Sequence, residues 1–184
     1  MNKLLLHICC GPCSIYPVMV FQDEGIEFEG LFFNPNIHPI DEFSLRRDTL
    51  KQFASHANFQ VEYLDDYMQV EWNELERADP SLRDEKHSGM SPRCLACYSL
   101  RLEKTAAIAA ERGYTEFTTS LLVSPYQNHE LIRQIGEKAA SVYKIPFYYR
   151  DFREGFRKGQ AKAKELGLYR QKYCGCIFSA NNYR

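Results

Sequence analysis

The chain has 184 residues, enough for one α/β domain whose core needs no disulfide framework. Its formal net charge of −1 argues against a general nucleic-acid binder, and no apolar run is long enough to span a bilayer. No basic and apolar leader precedes the first apolar run, so we expect a soluble, cytoplasmic protein without a membrane partner. In a reducing compartment, seven cysteines are more typical of metal or redox sites than of structural bridges.

Short apolar runs alternate with helical patterns along most of the chain. The runs predicted as strands are 3–8, 28–33, 60–64, 116–122 and 146–149. The patterns predicted as helices are 14–23, 41–56, 93–112, 131–143 and 154–166. This alternation predicts a single domain over residues 1–184, with a doubly wound, mostly parallel five-stranded sheet. If the strand order is 3-2-1-4-5, we expect the ligand-binding crevice at the carboxyl edge between the first and fourth strands, where the order reverses.

Residues 65–92 interrupt the alternation. This stretch is acidic and polar, and it contains the sole tryptophan, Trp72, with Met68 and Leu75 spaced to share a helix face with it. Two interpretations fit: a small helical lobe that forms a lid, or a surface helix packed through Trp72.

Three thiols lie within five residues directly after the first predicted strand, at Cys9, Cys10 and Cys13. Gly11-Pro12 between them is a turn signal, so we expect a loop that presents the thiols together. The next helix is expected to begin after this loop, with Ser14 as its cap.

A second pair of thiols, Cys94 and Cys97, lies in the first turn of the predicted helix 93–112, which Ser91 is placed to cap. Positions three apart share a helix face, and a helix amino terminus favours thiolate over thiol. Four thiolates can bind zinc or an iron–sulfur cluster, and spacing alone leaves both open. Because this helix leads into the fourth strand, we expect its thiols to reach the carboxyl edge of the sheet only if the lobe folds the helix back.

A third group is Cys174-Gly175-Cys176, near the end of the chain. Two thiols separated by one glycine can close a small, strained disulfide that cycles readily. The alternative is that both thiols complete a metal site.

The last fifth of the chain is basic. Residues 150–184 contain nine Lys/Arg and three Asp/Glu, for a net charge of +6, which leaves −7 for residues 1–149. This stretch is either a solvated helix face or a surface that binds phosphates.

Taken together, these motifs resemble the QueH type of epoxyqueuosine reductase. The resemblance rests on stretches that span nearly the whole chain: HICCGPCS at 7–14, RCLACY at 93–98 with Arg101-Leu102, TTSLL at 118–122 with SPYQ at 124–127, and YRQKYCGC at 169–176. It implies an enzyme that removes the epoxide oxygen from epoxyqueuosine at the wobble position of tRNA, giving queuosine. It also implies a fold like that of the nucleotide-binding group that includes the tRNA-thiolating ATP pyrophosphatases. The first loop is rich in cysteine instead of glycine and serine, so we expect no ATP use.

The resemblance further implies a cofactor and a redox pair. A [4Fe-4S] cluster is carried over to Cys9, Cys10, Cys94 and Cys97, and a redox-active disulfide to Cys174 and Cys176. An electron donor is implied without being identified. Two rival classes are a zinc-stabilised RNA-binding module without catalysis and a thiol–disulfide oxidoreductase that acts on protein partners.

The remaining candidates concern the substrate. Cys13, with Asp151, is a candidate ligand for an additional iron ion beside the cluster. Asp151 is also the first choice as proton donor, before Tyr126 and His129. The modified base is expected to leave the anticodon loop and to stack on Tyr98, Tyr126 or Phe152, while the basic last fifth of the chain holds phosphates.

Overall fold

The structure is a computed structural model that describes residues 3–79 and 91–176. Its sheet has four parallel strands in the order β3-β2-β1-β4. They are Lys3–His7 (β1), Glu27–Phe33 (β2), Val61–Leu64 (β3) and Glu116–Thr119 (β4). The predicted doubly wound parallel sheet is confirmed, and its four strands follow the order 3-2-1-4. The first strand reads as continuously apolar because helices cover both of its faces, leaving Leu4, Leu5 and Leu6 almost fully buried.

Helices connect the strands in the described part of the chain. They are Gly11–Asp23 (α1), Ile40–Ala57 (α2), Gln69–Ala78 (α3), Pro92–Glu111 (α4), His129–Tyr143 (α5) and Phe156–Glu165 (α6), with 3-10 turns at Ser120–Val123 and Arg153–Gly155. Helix α1 contacts both α2 and α6, whereas α4 contacts α5. Because crossovers between parallel strands are right-handed in almost all proteins, this strand order places the two groups on opposite faces of the sheet, as in a doubly wound fold.

The predicted fifth strand is wrong, because only Phe147 pairs with the sheet, in an isolated parallel bridge to Phe117. The Phe117 N–H donates to the Pro146 carbonyl, and the Tyr148 N–H donates to the Phe117 carbonyl. The pairing goes no further because β4 ends at Thr119, whose hydroxyl accepts from the Leu121 N–H and starts a 3-10 turn.

Helix α1 begins at Gly11, so Cys13 lies in its first turn instead of in a loop. Pro12 fits this turn because the first helical residues need no N–H donor. The prediction that Ser14 caps the helix is wrong: its hydroxyl donates to the Gly11 carbonyl at 2.7 Å from inside the helix. A Gly-Pro pair that reads as a turn therefore begins the helix.

Gly136 allows α5 to pack closely on Phe147. A Cβ atom at this position would lie 2.4 Å from Phe147 Cε1, and the Phe147 ring also packs on Phe117 with centroids 5.1 Å apart. We expect Gly136→Ala to lower the free energy of unfolding by about 2 kcal/mol, measured by urea denaturation. Gly159→Ala in α6 is the matched control, because its Cβ would lie 3.5 Å from the Pro12 carbonyl oxygen, an ordinary contact. The control should be neutral or more stable, by up to about 1 kcal/mol, through helix propensity.

Candidate active site

The candidate site lies at the carboxyl edge of the sheet, between β1 and β4. Cys9 and Cys10 follow β1 directly, and the Cys9 N–H donates to the Ser120 hydroxyl oxygen at 3.1 Å from the segment after β4. Strand order reverses between these two strands, which is where open α/β sheets bind ligands. The predicted position of the crevice therefore agrees with the topology.

His7 supports this edge from within the core. Its Nε2 donates to the Phe33 carbonyl at 3.1 Å, which leaves Nδ1 to accept from the Thr119 hydroxyl at 2.8 Å. Burial lowers the pKa of His7 to about 4, so the ring is neutral at physiological pH. The histidine joins β1 to both neighbouring strands.

Cys9, Cys10 and Cys13 form a buried thiol triad. Their sulfur atoms all lie within 4.8 Å of one another, and the Cys9 and Cys10 sulfurs are 3.7 Å apart. No other set of three or more His, Cys, Asp or Glu ligand atoms is gathered so closely within residues 3–79 and 91–176. Sulfur ligands about 2.3 Å from one metal ion lie roughly 3.8 Å apart in tetrahedral geometry, so the thiol triad can hold a metal ion.

The thiol triad accommodates one negative charge. Hydrogen bonds from the Cys10 and Cys13 thiols, and from the Ser120 hydroxyl, hold the pKa of Cys9 well below its usual range. Burial raises the pKa of Cys10, and hydrogen bonding with the neighbouring sulfurs of Cys10 and Cys9 raises the pKa of Cys13. A bound cation would favour ionisation of the second and third thiols.

Residues 169–176, here called the C-terminal strap, reach the thiol triad through Gln171. The Gln171 amide nitrogen donates to Cys10 Sγ at 2.8 Å and to Cys13 Sγ at 3.2 Å. Its amide oxygen is buried without a hydrogen-bond partner among the described residues. Hydrogen bonds to ligand sulfurs orient them and tune the metal, so Gln171 belongs to the site. The sequence motif YRQKYCGC predicted a role for its two cysteines but gave no indication of the role of its glutamine.

The other four cysteines line one pocket at the same edge. The pocket is partly open to solvent, and its walls include Cys94, Cys97, Cys174 and Cys176. Gln127 also lines it, and its side-chain oxygen accepts a short hydrogen bond from the Tyr98 hydroxyl. All seven cysteines that the sequence singled out thus lie at the carboxyl edge, three in the thiol triad and four around the pocket.

Cys94 and Cys97 reach this edge without any folding back of the lobe, so that expectation is wrong. A helix between two parallel strands runs antiparallel to them, which places its amino terminus where the strands end. The Ser91 hydroxyl accepts from the Cys94 N–H at 3.2 Å, which confirms the predicted cap. Cys97 Sγ accepts from the Asn36 side chain at 3.1 Å, and Asn36 lies in the loop after β2.

Arg46 fixes the C-terminal strap to α2. Its guanidinium is 1% exposed and donates to the Tyr173 carbonyl at 2.8 Å, the Cys174 carbonyl at 3.0 Å and Glu42 Oε1 at 2.7 Å. The Tyr169 hydroxyl donates to Glu42 Oε2 at 2.7 Å. Sequence reasoning missed Arg46, because an arginine in an amphipathic helix reads as a solvent-facing residue.

Helix α3 is the described part of the predicted lobe, and residues 80–90 lie outside the described residues. Trp72 is 5% exposed and lines the pocket, while the Met68 N–H donates to the Pro35 carbonyl at 3.0 Å. Leu75, which the spacing places on the same helix face as Trp72, is 45% exposed. The amino end of α3 is anchored over the pocket, and its later turns face solvent.

Asp151 is paired with Arg153. Its carboxylate accepts from Arg153 Nε at 2.9 and 3.0 Å, and these bonds lower its pKa to about 2. His129 Nδ1 lies 3.8 Å from Asp151 Oδ1, beyond hydrogen-bond distance. An aspartate in this pair is ionised at neutral pH, and no contact joins it to the thiol triad within the described ranges. Its roles as iron ligand and proton donor stay predictions.

The three aromatic candidates for base stacking differ sharply in exposure. Tyr98 is 3% exposed and lines the pocket, whereas Phe152 is fully buried in the core and offers no free face. Tyr126 is 76% exposed. Of the three, Tyr126 alone presents its ring to solvent.

Known proteins resemble this chain over almost its whole length. A family model described as epoxyqueuosine reductase QueH matches residues 4–182. The epoxyqueuosine reductase QueH of Thermotoga maritima is 37% identical over 182 residues, covering 97% of this chain and 91% of the relative. Those of Dehalococcoides mccartyi and Acinetobacter baylyi are 33% and 36% identical, over 96% and 97% of this chain and 92% and 80% of the relatives.

A crystal structure of a predicted subunit of a tRNA methyltransferase from Methanocaldococcus jannaschii has a similar fold. It superposes with a TM-score of 0.55 at 11% identity, covering 90% of this chain and 75% of the other. At that identity the likeness concerns the fold alone. Within the described ranges, none of the helices combines the length and apolar character needed to cross a bilayer.

Proposed function

Because the chain belongs to the QueH family of epoxyqueuosine reductases, we propose that it reduces epoxyqueuosine at the wobble position of tRNA to queuosine. Residues 1–184 would act as a single α/β metalloenzyme domain in the cytoplasm. The observation that carries the proposal is the gathering of seven cysteines at one sheet edge, with a buried thiol triad beside a pocket lined by the other four. Such a site suits metal-assisted reduction.

The cofactor assigned to this edge is a [4Fe-4S] cluster held by Cys9, Cys10, Cys94 and Cys97. The donor set fits it, because thiolates are the ligands that such clusters prefer and the site supplies hydrogen bonds to its sulfurs. The cluster would supply single electrons at the pocket. Cys13 is left for an additional iron ion, and the Gln171 amide donates to its sulfur at 3.2 Å.

The Cys174 and Cys176 thiols are assigned as the source of the electron pair. Oxidation of the two thiols to a disulfide releases two electrons and two protons, and converting an epoxide to an alkene with loss of water consumes the same. An external electron donor then returns the disulfide to two thiols. Gly175 has φ +107°, and a Cβ there would lie 3.0 Å from Ile37 Cγ1, so glycine allows the strap to turn closely against the loop after β2.

The direct test is nucleoside mass spectrometry. Anaerobically prepared protein with a chemical reductant should convert epoxyqueuosine-containing tRNA to queuosine-containing tRNA, and Cys10→Ala should abolish conversion together with the visible absorption of the cluster. A colourless protein with stoichiometric zinc and no conversion would support the zinc-stabilised RNA-binding module. Reduction of protein disulfides without conversion would support the thiol–disulfide oxidoreductase.

A further inference from the structure

We propose that Tyr126 and the solvent face of α6 form a docking surface for the anticodon arm of RNA. The docking surface consists of Tyr126, Phe156, Arg157, Lys158 and Lys164. This inference rests on the proposed function and specifies how its RNA substrate is held. Three observations carry it: the amphipathic packing of α6, its uneven charge, and an exposed aromatic ring next in sequence to Gln127, which lines the pocket.

Helix α6 lies directly against the turn that carries the thiol triad. It buries Gly159 and Ala163, and a Cβ at Gly159 would make an ordinary van der Waals contact, 3.5 Å from the Pro12 carbonyl oxygen. Arg157, Lys158 and Lys164 are exposed on the opposite side. One helix diameter, about 10 Å, therefore separates the cationic face from the first turn of α1.

The charge on this helix and strap is not balanced locally. Residues 156–172 contain six Lys/Arg and one acidic residue, Glu165, for a net charge of +5 in a chain whose overall charge is −1. Glu165 accepts from Lys162 at 2.5 Å. Arg157, Lys158 and Lys164 have no ion-pair partner among the residues that the structure describes. A cationic face of this kind on an otherwise acidic protein is complementary to a polyanion.

An exposed aromatic ring joins this face to the pocket. Phe156, the first residue of α6, packs edge-on against Tyr126 with centroids 5.9 Å apart and an interplanar angle of 84°. Tyr126 is 76% exposed, and its neighbour Gln127 lines the pocket. Single-stranded RNA is held by stacking on such rings together with phosphate contacts. An acidic protein partner would use the cations but has no need of the ring, so RNA is the better fit.

In this arrangement, a base next to the wobble nucleotide stacks on Tyr126 while the modified base enters the pocket beside Gln127. Phosphates of the same loop lie along Arg157, Lys158 and Lys164. The protein thus reads an unstacked loop through one ring and the backbone charge, without base-specific contacts on α6.

The test compares two charge reversals of equal size. Arg157→Glu/Lys158→Glu changes the docking surface, whereas Lys51→Glu/Lys138→Glu makes the same change at exposed positions of α2 and α5. Binding of a fluorescein-labelled anticodon stem-loop hairpin, without the modified base, is followed by fluorescence polarisation across a salt series. The first variant should bind at least about tenfold more weakly, with a slope of log K against log salt shallower by about 1.4, for two lost contacts. The control should bind within about twofold of the unchanged protein.

Substitutions of Tyr126 test the stacking step separately. Tyr126→Ala should weaken hairpin binding about tenfold with an unchanged salt slope, and Tyr126→Phe should restore it. Circular dichroism confirms that each variant is folded.

Two outcomes would overturn the docking surface. One is equal hairpin binding by both charge-reversal variants. The other is unchanged hairpin binding together with slower reduction by an acidic electron-carrier protein, which would assign the surface to the electron donor. Because the hairpin lacks the modified base, hairpin binding tests the docking surface independently of the proposed function. If the protein binds RNA through this surface but makes no queuosine, the docking surface is supported and the proposed function is refuted.

Discussion

Replacing Arg46 by methionine is expected to destabilise the protein by roughly 3–5 kcal/mol and to release the C-terminal strap from α2. The change would leave the Glu42 carboxylate buried without its cation, and it would remove the donor from the Tyr173 and Cys174 carbonyls. Breaking a buried pair costs more than the pair contributes, because the remaining charge is left desolvated. Urea denaturation measures the loss of stability.

A second readout separates release of the strap from general loss of stability. The alkylation rates of Cys174 and Cys176, followed by peptide mass spectrometry under native conditions, should rise at least tenfold in Arg46→Met. Arg46→Lys should give an intermediate result, because lysine keeps the charge but lacks the planar fork that reaches two carbonyls and a carboxylate.

The matched control is the next residue of the same helix. Arg47 is an arginine whose ion pairs with Asp48 and Asp65 involve exposed carboxylates, so Arg47→Met should change stability by less than about 1 kcal/mol. If Arg46→Met unfolds at the same urea concentration as Arg47→Met and leaves Cys174 labelling slow, Arg46 does not anchor the strap.

The parts of the fold that the sequence predicted correctly depend on local patterns. The apolar run at Leu4, Leu5 and Leu6 indicated a strand buried on both faces, and Ser91 indicated the start of α4. The errors came where tertiary pairing decides the outcome. Phe147 has the pattern of a strand residue, but β4 bends into a 3-10 turn and leaves it one bridge.

The cysteine residues of the site were predictable from the sequence, because clustered cysteines are recognisable by their spacing. The roles of Arg46 and Gln171 were not predictable, because they arise from contacts with residues that lie 127 to 161 positions away in the sequence. An arginine in a helix and a glutamine in a polar tail give no local signal of burial beside thiols. The position of Cys94 and Cys97 was misjudged for another reason: the direction of a crossover helix follows from the parallel topology, which already places its first turn at the carboxyl edge.

The substitution Cys10→Ser is expected to remove most of the bound iron together with the visible absorption. It takes away a ligand assigned to the cluster, which is also a member of the thiol triad. The substitution Cys13→Ser should have a different effect on iron and sulfide content. If Cys13 binds only an additional iron ion, Cys13→Ser keeps the cluster absorption and its acid-labile sulfide, and it loses about one iron per chain. Iron and sulfide analysis of anaerobically reconstituted protein measures both quantities.

Cys174→Ser is the control for this series, because Cys174 lines the pocket without belonging to the thiol triad. It should keep all of the iron and sulfide while losing conversion of epoxyqueuosine. A Cys13→Ser protein without sulfide would contradict the separate role of Cys13. Since the three sulfurs lie within 4.8 Å of one another, that result would instead mean that Cys9, Cys10 and Cys13 bind one metal centre together.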